Sequence, residues 1–239
     1  MSRIEIITAH NASEFEQFQE SLAESYIEAF AGPPWDEKSR CDNGDCDMHF
    51  SPSEIGTACS ICGTALGPAY TPEQLYAEWA KKLQEEDAIF ELAVNEENEA
   101  IRATIAHPLT RAALFERKYS AVPAMEGWID ATLPRDFVWI DDTFANRQKS
   151  PSGNLRDRGV TLARIAFNYP RITTIATRTK AAEIVSTTLR DVGPQTDVYD
   201  GTFDISLGDP TRPLRRERAR SIGNVPDERT FLAIDTQQF

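Results

Sequence analysis

All four cysteines of this 239-residue chain lie in one short segment, between Cys41 and Cys62. They form two close pairs, Cys41-x4-Cys46 and Cys59-x2-Cys62, with twelve residues between the pairs. A disulfide framework usually spreads its cysteines over a small secreted chain, whereas a short loop between paired thiolates directs both sulfur atoms at one metal ion. The spacing therefore predicts a zinc site whose ligands are all four cysteines.

Details of the same segment favour a zinc ribbon. Gly44 and Gly63 stand where the ligand loops must turn tightly, and Cys62-Gly63 is a common ending of a zinc-ribbon knuckle. His49 is a competing ligand, but with four thiolates present we place it outside the ligand set. Four buried or disulfide-paired cysteines are the alternative. Four sulfur ligands leave no open position, so the metal would hold a fold and not catalyse. We expect an inserted zinc-ribbon subdomain at residues 38–70.

Composition limits the classes of protein to which the chain can belong. The residues are 41% hydrophobic and 26% charged, which is typical of a folded globular domain. The net charge of −13 disfavours nucleic acid as a partner, because that charge repels phosphate at long range. No apolar run approaches the roughly 20 residues of a membrane-spanning helix, and the start lacks a secretory pattern. We expect a soluble cytoplasmic protein without a membrane partner.

The cysteine segment interrupts a pair of predicted helices. Apolar residues recur at helical spacing up to about Phe30, and Gly32-Pro33-Pro34-Trp35 ends that helix. After the cysteines, Thr71-Pro72-x-Gln74 combines an N-cap, a first-turn proline and an N3 glutamine, which together begin a second helix. The ribbon is thus predicted to be inserted between two helices of a host domain.

The rest of the chain alternates strands and helices, which predicts an α/β (α+β) fold with a mixed sheet. Ile4 to Ile7 is a predicted first strand. The predicted strands further along are 89–94 and 101–106 (a hairpin), 137–144, 172–177, 198–207 and 230–234, and the predicted helices are 109–119, 156–168 and 180–191.

One loop has the features of a phosphate-binding turn. Arg156-Asp157-Arg158-Gly159-Val160-Thr161 follows a predicted strand and opens a helix. Free backbone N–H groups at a helix start bind pyrophosphate, and a glycine lets the anion approach the backbone closely. Alone this pattern is weak, and a plain helix start with two solvated arginines would also explain it.

From Phe137 onward the chain resembles the GNAT N-acetyltransferase superfamily. In that family a strand precedes an R/Q-x-x-G-x-G/A turn whose amides hold the pyrophosphate of acetyl-CoA, and Arg156 to Thr161 stands at that turn. Thr161 replaces the usual final Gly or Ala. Near the start, Tyr26 to Phe30 followed by Gly32-Pro33-Pro34-Trp35 resembles the family's first helix and acceptor-side loop. The resemblance covers most of residues 1–35 and 71–239.

The resemblance implies a GNAT-like mixed, mostly antiparallel sheet flanked by helices over residues 1–239, and an acetyl-CoA-dependent N-acyltransferase. Asp141 and Asp142 occupy the strand that often carries the acidic base. Adjacent strand residues point to opposite faces, so only one can reach the cleft, and we choose Asp142. Tyr199 is the only tyrosine near the position of the general acid. The implied cofactor-binding residues are Thr143, Phe144, Arg156, Asp157, Arg158, Gly159, Val160 and Thr161.

A second function remains open at this stage. The scaffold could be a degenerate GNAT domain that does not catalyse, with the ribbon recognising a protein or nucleic acid. The sequence also leaves open the identity of the amine acceptor, whether the acyl group is acetyl, and the oligomeric state, a homodimer included.

Overall fold

A computed structural model describes residues 4–33, 35–43, 46, 50–119, 126–127, 129–130, 133–146, 148–149, 164–179, 198–202 and 230–235. The strands are β1 (Glu5–Ala9), β2 (Ser39–Cys41), β3 (Phe50–Ser51), β4 (Leu66–Pro68), β5 (Ile89–Val94), β6 (Ala100–Thr110), β7 (Asp136–Ala145), β8 (Thr174–Thr179), β9 (Val198–Thr202) and β10 (Thr230–Asp235). The helices are α1 (Ala12–Phe15), α2 (Gln19–Ala31), α3 (Pro72–Lys82) and α4 (Arg111–Leu114). No helix in these ranges is both long and apolar enough to cross a lipid bilayer.

Seven strands form one sheet in the order β1-β5-β6-β7-β8-β10-β9, and β3-β2-β4 form a separate three-stranded sheet. The pairs β1/β5, β8/β10 and β10/β9 are antiparallel, while β7/β8 is parallel. A parallel pair needs a long crossover connection, and the residues between β7 and β8 include the predicted phosphate-binding turn. The mixed, mostly antiparallel sheet expected from the sequence is confirmed.

The chain divides into two compact units. The first contains residues 1–105, 142–153 and 217–225, and the second contains residues 106–141, 154–216 and 226–239. Both β6 and β7 run from one unit into the other, because the boundaries at 105/106 and 141/142 fall inside these strands. The three-stranded ribbon sheet belongs to the first unit.

Helix α3 begins as the sequence predicts. The Thr71 hydroxyl accepts a hydrogen bond from the Gln74 amide at 3.3 Å, the Gln74 side chain caps the Thr71 amide in return, and Pro72 occupies the first turn. Such a reciprocal cap satisfies two backbone donors that would otherwise lack partners, so the insertion ends in a well-defined helix start.

The helix expected at residues 109–119 is confirmed from Arg111 to Tyr119, whereas the strand before it is longer than the expected 101–106. Strand β6 continues to Thr110, a single helical turn (α4) follows, and residues 115–119 form a π-helical turn. The eight residues from Ala100 to His107 are all buried. The expected strand ended at residue 106, because Pro108 cannot donate a ladder hydrogen bond and is typical of a strand end, although β6 continues through it.

The core of the first unit is aromatic. Phe15, Tyr26, Trp79 and Phe144 bring together helices α1, α2 and α3 and strand β7, and Trp79 stacks on Phe144 with ring centroids 5.8 Å apart. Fully burying one such side chain contributes about 1.5–3 kcal/mol. This core fixes the residues of β7 that follow Asp141 against helices α2 and α3.

Candidate functional site

The four cysteines converge as the spacing predicts. Their sulfur atoms all lie within 4.8 Å of one another. The Sγ atoms of Cys41 and Cys62 are 3.3 Å apart, and those of Cys46 and Cys59 are 3.8 Å apart. A tetrahedral zinc ion with Zn–S bonds of about 2.3 Å would set the sulfurs roughly 3.8 Å apart. The structure has all four cysteines as free thiols, and this donor set fits a tetrathiolate metal site.

The second cysteine pair lies on a tight knuckle. The Gly63 amide donates to the Cys59 carbonyl at 2.8 Å, and Gly63 has a φ of 76°. A side chain is disfavoured at that φ, which explains the glycine after Cys62. The Ile61 amide approaches the Cys59 sulfur at 3.5 Å, an interaction that would stabilise a thiolate. Gly44 and His49 lie outside the described residues.

The thiols differ in their local environments. Burial raises the pKa of Cys41 and Cys46. Hydrogen bonds with the side chain and backbone of Thr64 lower the pKa of the exposed Cys62 to about 6. A metal ion binds thiolates, so its binding to the buried thiols must displace their protons.

Asp142, the predicted base, is engaged in an ion pair. Its Oδ2 lies 2.5 Å from the Lys82 Nζ, and the same ammonium is 3.2 Å from Glu78 one turn earlier on α3. The Asp142 side chain is 18% exposed. A lysine on α3 therefore holds the carboxylate on the face of β7 that the aromatic core covers.

Tyr26 carries a buried phenol in the first unit. Burial raises its pKa well above 10, and the negative charge of Asp142 and other acidic neighbours adds to that rise. A phenol with a raised pKa stays protonated at neutral pH and is a weaker acid than an ordinary tyrosine. Helical spacing marked Tyr26 only as an apolar-face residue, and no sequence signal distinguishes it from its core neighbours.

Tyr70 and Glu37 lie at the two ends of the insertion, and Tyr70 contacts Tyr26. The Tyr70 hydroxyl donates a short hydrogen bond to the Glu37 carboxylate. Glu37 is only 4% exposed, and Tyr70 meets the Tyr26 ring edge-on at 5.0 Å. Sequence reasoning missed both residues because neither belongs to a motif.

A buried histidine–aspartate pair lies in the second unit. His107 Nε2 is 2.9 Å from Asp141 Oδ2, and the Trp139 indole N–H donates to the other carboxylate oxygen at 3.2 Å. The side chains of His107 and Asp141 are 5% and 9% exposed. Such a buried pair fits a structural role for His107. Strand β7 continues past both aspartates to Ala145, and the side chains of Asp141 and Asp142 are largely buried.

The parallel pairing of β7 with β8 is short. Its register covers Val138 opposite Ile175 and Trp139 opposite Ala176. At the next position the Ile140 carbonyl accepts a hydrogen bond from the Thr177 hydroxyl at 3.1 Å. The two strands therefore leave regular pairing just before Asp141.

The remaining predicted site residues have different outcomes. Thr143 is exposed, with its hydroxyl 3.0 Å from that of Thr104, while the Phe144 ring is buried in the aromatic core and offers only its backbone to a ligand. Tyr199 lies in β9 opposite Ala233. The turn Arg156 to Thr161 lies outside the described residues, as does the arginine-rich stretch 212–220. The cofactor and catalytic assignments of all these residues stay predictions.

Solved structures resemble this chain over nearly its full length. A mosquito arylalkylamine N-acetyltransferase-like protein superposes with a TM-score of 0.55 at 13% identity, covering 97% of this chain and 99% of that one. An agmatine N-acetyltransferase gives a TM-score of 0.50 at 9% identity, covering 96% and 97%. No protein-family model matches the sequence, and a search of curated proteins finds no match. At such identities the likeness establishes the fold, which is GNAT-like.

Proposed function

We propose that the protein is an acetyl-CoA-dependent N-acyltransferase that acetylates an amine and carries a structural zinc ion. The observation that carries the proposal is the end of the β7/β8 pairing just before Asp141, within the fold that N-acetyltransferases share. Strands that separate leave backbone groups available to a ligand, and an amide there could stabilise the negative charge that develops on a thioester carbonyl.

The cofactor side of the proposal rests on the turn from Arg156 to Thr161. Backbone amides at a helix start, with Gly159 permitting close approach, would hold the diphosphate of CoA, and two arginines would add charge-assisted hydrogen bonds. Residues 164–168 are helical, as the assignment of this turn to a helix start requires. Thr143 and the Phe144 backbone are the proposed contacts on β7.

On the acceptor side, the attacking amine must be neutral, although a free lysine amine has a pKa near 10.4. We assign Asp142 to take that proton, directly or through water, as the amine nitrogen bonds to the thioester carbonyl carbon and the C–S bond breaks. The thiolate that leaves takes up a proton from a hydroxyl group. Tyr199 is the predicted donor.

The zinc proposal rests on the four convergent sulfurs. Cys41, Cys46, Cys59 and Cys62 would fill a tetrahedral coordination shell, and the metal would supply folding free energy to residues 38–70 and no chemistry.

Asp142→Asn should lower kcat about 100-fold and leave acetyl-CoA binding unchanged, since the substitution removes the proton acceptor and keeps the side-chain shape. Free-thiol release measures the rate, and calorimetric titration measures binding. Asp136→Asn is the matched control, because Asp136 is an exposed residue at the start of the same strand. Equal rates for wild type and Asp142→Asn would remove Asp142 from the mechanism.

The test of the activity itself combines binding with turnover. Acetyl-CoA should raise the melting temperature, and Gly159→Ile should abolish that rise because the side chain occupies the proposed diphosphate position. Free-thiol release is then followed with benzylamine, kanamycin, a peptide with a free N-terminus and an N-blocked lysine peptide. Absence of any acetyl-CoA binding at millimolar concentration would favour the non-catalytic ribbon module instead.

A further inference from the structure

The two ends of the insertion are bound to each other and to the host. The Glu37 amide donates to the Phe30 carbonyl of α2 at 2.8 Å. The Ala69 amide donates to the Lys38 carbonyl at 3.3 Å, and the Lys38 amide donates to Ser51 in β3 at 3.2 Å. We call residues 37–38 and 69–70 the stems. Their backbone positions depend on both the ribbon sheet and helix α2.

A continuous set of contacts joins the thiol cluster to the stems. Cys41 ends β2, and its neighbour Arg40 pairs with Phe50 in β3. The Phe50 ring stacks on Tyr70 with centroids 5.6 Å apart and an interplanar angle of 28°. Tyr70 then donates its hydroxyl hydrogen bond to Glu37. If the ribbon sheet became disordered, the packing of Tyr70 and its hydrogen bond to Glu37 would therefore change as well.

The stems in turn contact the segment that resembles the acceptor-side helix and loop of the GNAT superfamily. Tyr70 lies edge-on to Tyr26 at 5.0 Å and packs at 6.5 Å from Phe30. Trp35 closes the same group, 5.0 Å from Phe30. The aromatic surface on this side thus contains rings from both the host and the insertion.

We propose that metal binding to the four cysteines positions Tyr70 and Glu37, and through them sets the KM for the amine acceptor while leaving acyl-CoA affinity unchanged. This inference rests on the proposed acyltransferase function. A metal ion binds the folded ribbon and stabilises it relative to its disordered form. Metal binding therefore raises the population of every contact that the folded ribbon makes. Phe50, Tyr70 and Glu37 are positioning residues in this scheme.

Hydrogen exchange tests the positioning directly. The full-length protein is compared as isolated with zinc, after chelation with 1,10-phenanthroline, and after zinc is restored. Chelation should speed exchange of the Glu37, Lys38 and Ala69 amides about fivefold or more, in the range of ordinary coupling between sites. Amides of β5, in the same unit, should not change. Faster exchange confined to residues 41–66, or an equal increase in β5, would overturn the proposal.

Kinetics tests the proposal in a second way. A purely structural role of the metal would not change the amine KM selectively. With the panel amine of highest kcat/KM, chelation should raise the amine KM about fivefold or more and leave kcat and the acetyl-CoA dissociation constant within about twofold. Phe50→Ala should reproduce the rise in amine KM with zinc bound. Ile55→Ala, a change at an apolar ribbon residue that is 56% exposed, should leave it unaltered. An unchanged amine KM on chelation would overturn the proposal.

The two levels of inference fail in different ways. If no panel amine is acetylated, the proposed function fails, and the stem amides still decide whether the metal positions Tyr70 and Glu37. If acetylation occurs but chelation leaves hydrogen exchange of the stem amides unchanged, the proposed activity stands and the inference about metal binding is wrong.

Discussion

Replacing Cys46 by serine should yield a protein without bound metal. Wild type is expected to contain about one zinc ion per chain, because its four cysteine sulfurs form a single cluster. A structural zinc site contributes about 10–16 kcal/mol of apparent binding free energy, and that energy is also folding energy for the segment that supplies the ligands. Cys46 is 1% exposed, so its serine variant leaves a buried gap in the coordination shell. Elemental analysis after gel filtration measures the zinc content.

His49→Ala is the matched control for that experiment. His49 lies three residues after Cys46 and is the alternative ligand in the segment. Its alanine variant should keep a full complement of zinc. If His49→Ala lost its zinc while Cys46→Ser kept it, His49 would be a ligand in place of Cys46. That result would refute the all-cysteine site.

His107→Leu should destabilise the protein by about 3 kcal/mol or more, because it removes the hydrogen bond between the imidazole and the buried Asp141 carboxylate. The hydrogen bond from the Trp139 indole N–H to the carboxylate, at 3.2 Å, is unaffected by the substitution. Urea denaturation followed by circular dichroism measures the change. His10→Leu is the control, since His10 is exposed and its substitution should cost less than about 0.5 kcal/mol.

The double variant His107→Leu/Asp141→Leu separates the loss of packing from the cost of burying the Asp141 carboxylate without its hydrogen bond to His107. Replacing both members of a buried pair by apolar residues is often neutral, so the double variant should be more stable than His107→Leu alone. If the two substitutions instead destabilise additively, the carboxylate is not the source of the cost, and the pair contributes through shape alone.

Sequence reasoning succeeded where a local chemical requirement dictates the residue. Cysteine spacing predicted the ligand cluster, and Thr71 with Gln74 predicted the start of α3, because thiolate geometry and helix capping act over a few residues. Alternation and apolar runs likewise located β5 and β7. The fold class followed from the order of these elements and from the resemblance at their motifs.

The parts that sequence could not give depend on contacts distant along the chain. Lys82 and Asp142 are 60 residues apart, and Tyr70 and Glu37 are 33 apart. No spacing rule connects such pairs, since the fold alone brings them together. The end of β6 was placed too early because Pro108 is typical of a strand end, although the strand continues to Thr110. His107 and Asp141 are likewise 34 residues apart, and only the fold brings them together.

The proximity of the two stems bears on how the insertion is tolerated. Because Lys38 and Ala69 are hydrogen-bonded neighbours, the thirty residues between them leave and re-enter the host at almost one point. The host therefore loses little chain entropy by carrying so long an excursion, and a short turn could bridge the same gap. The metal-binding segment is in this sense a detachable module, and related scaffolds could gain or lose it without rearranging their central sheet.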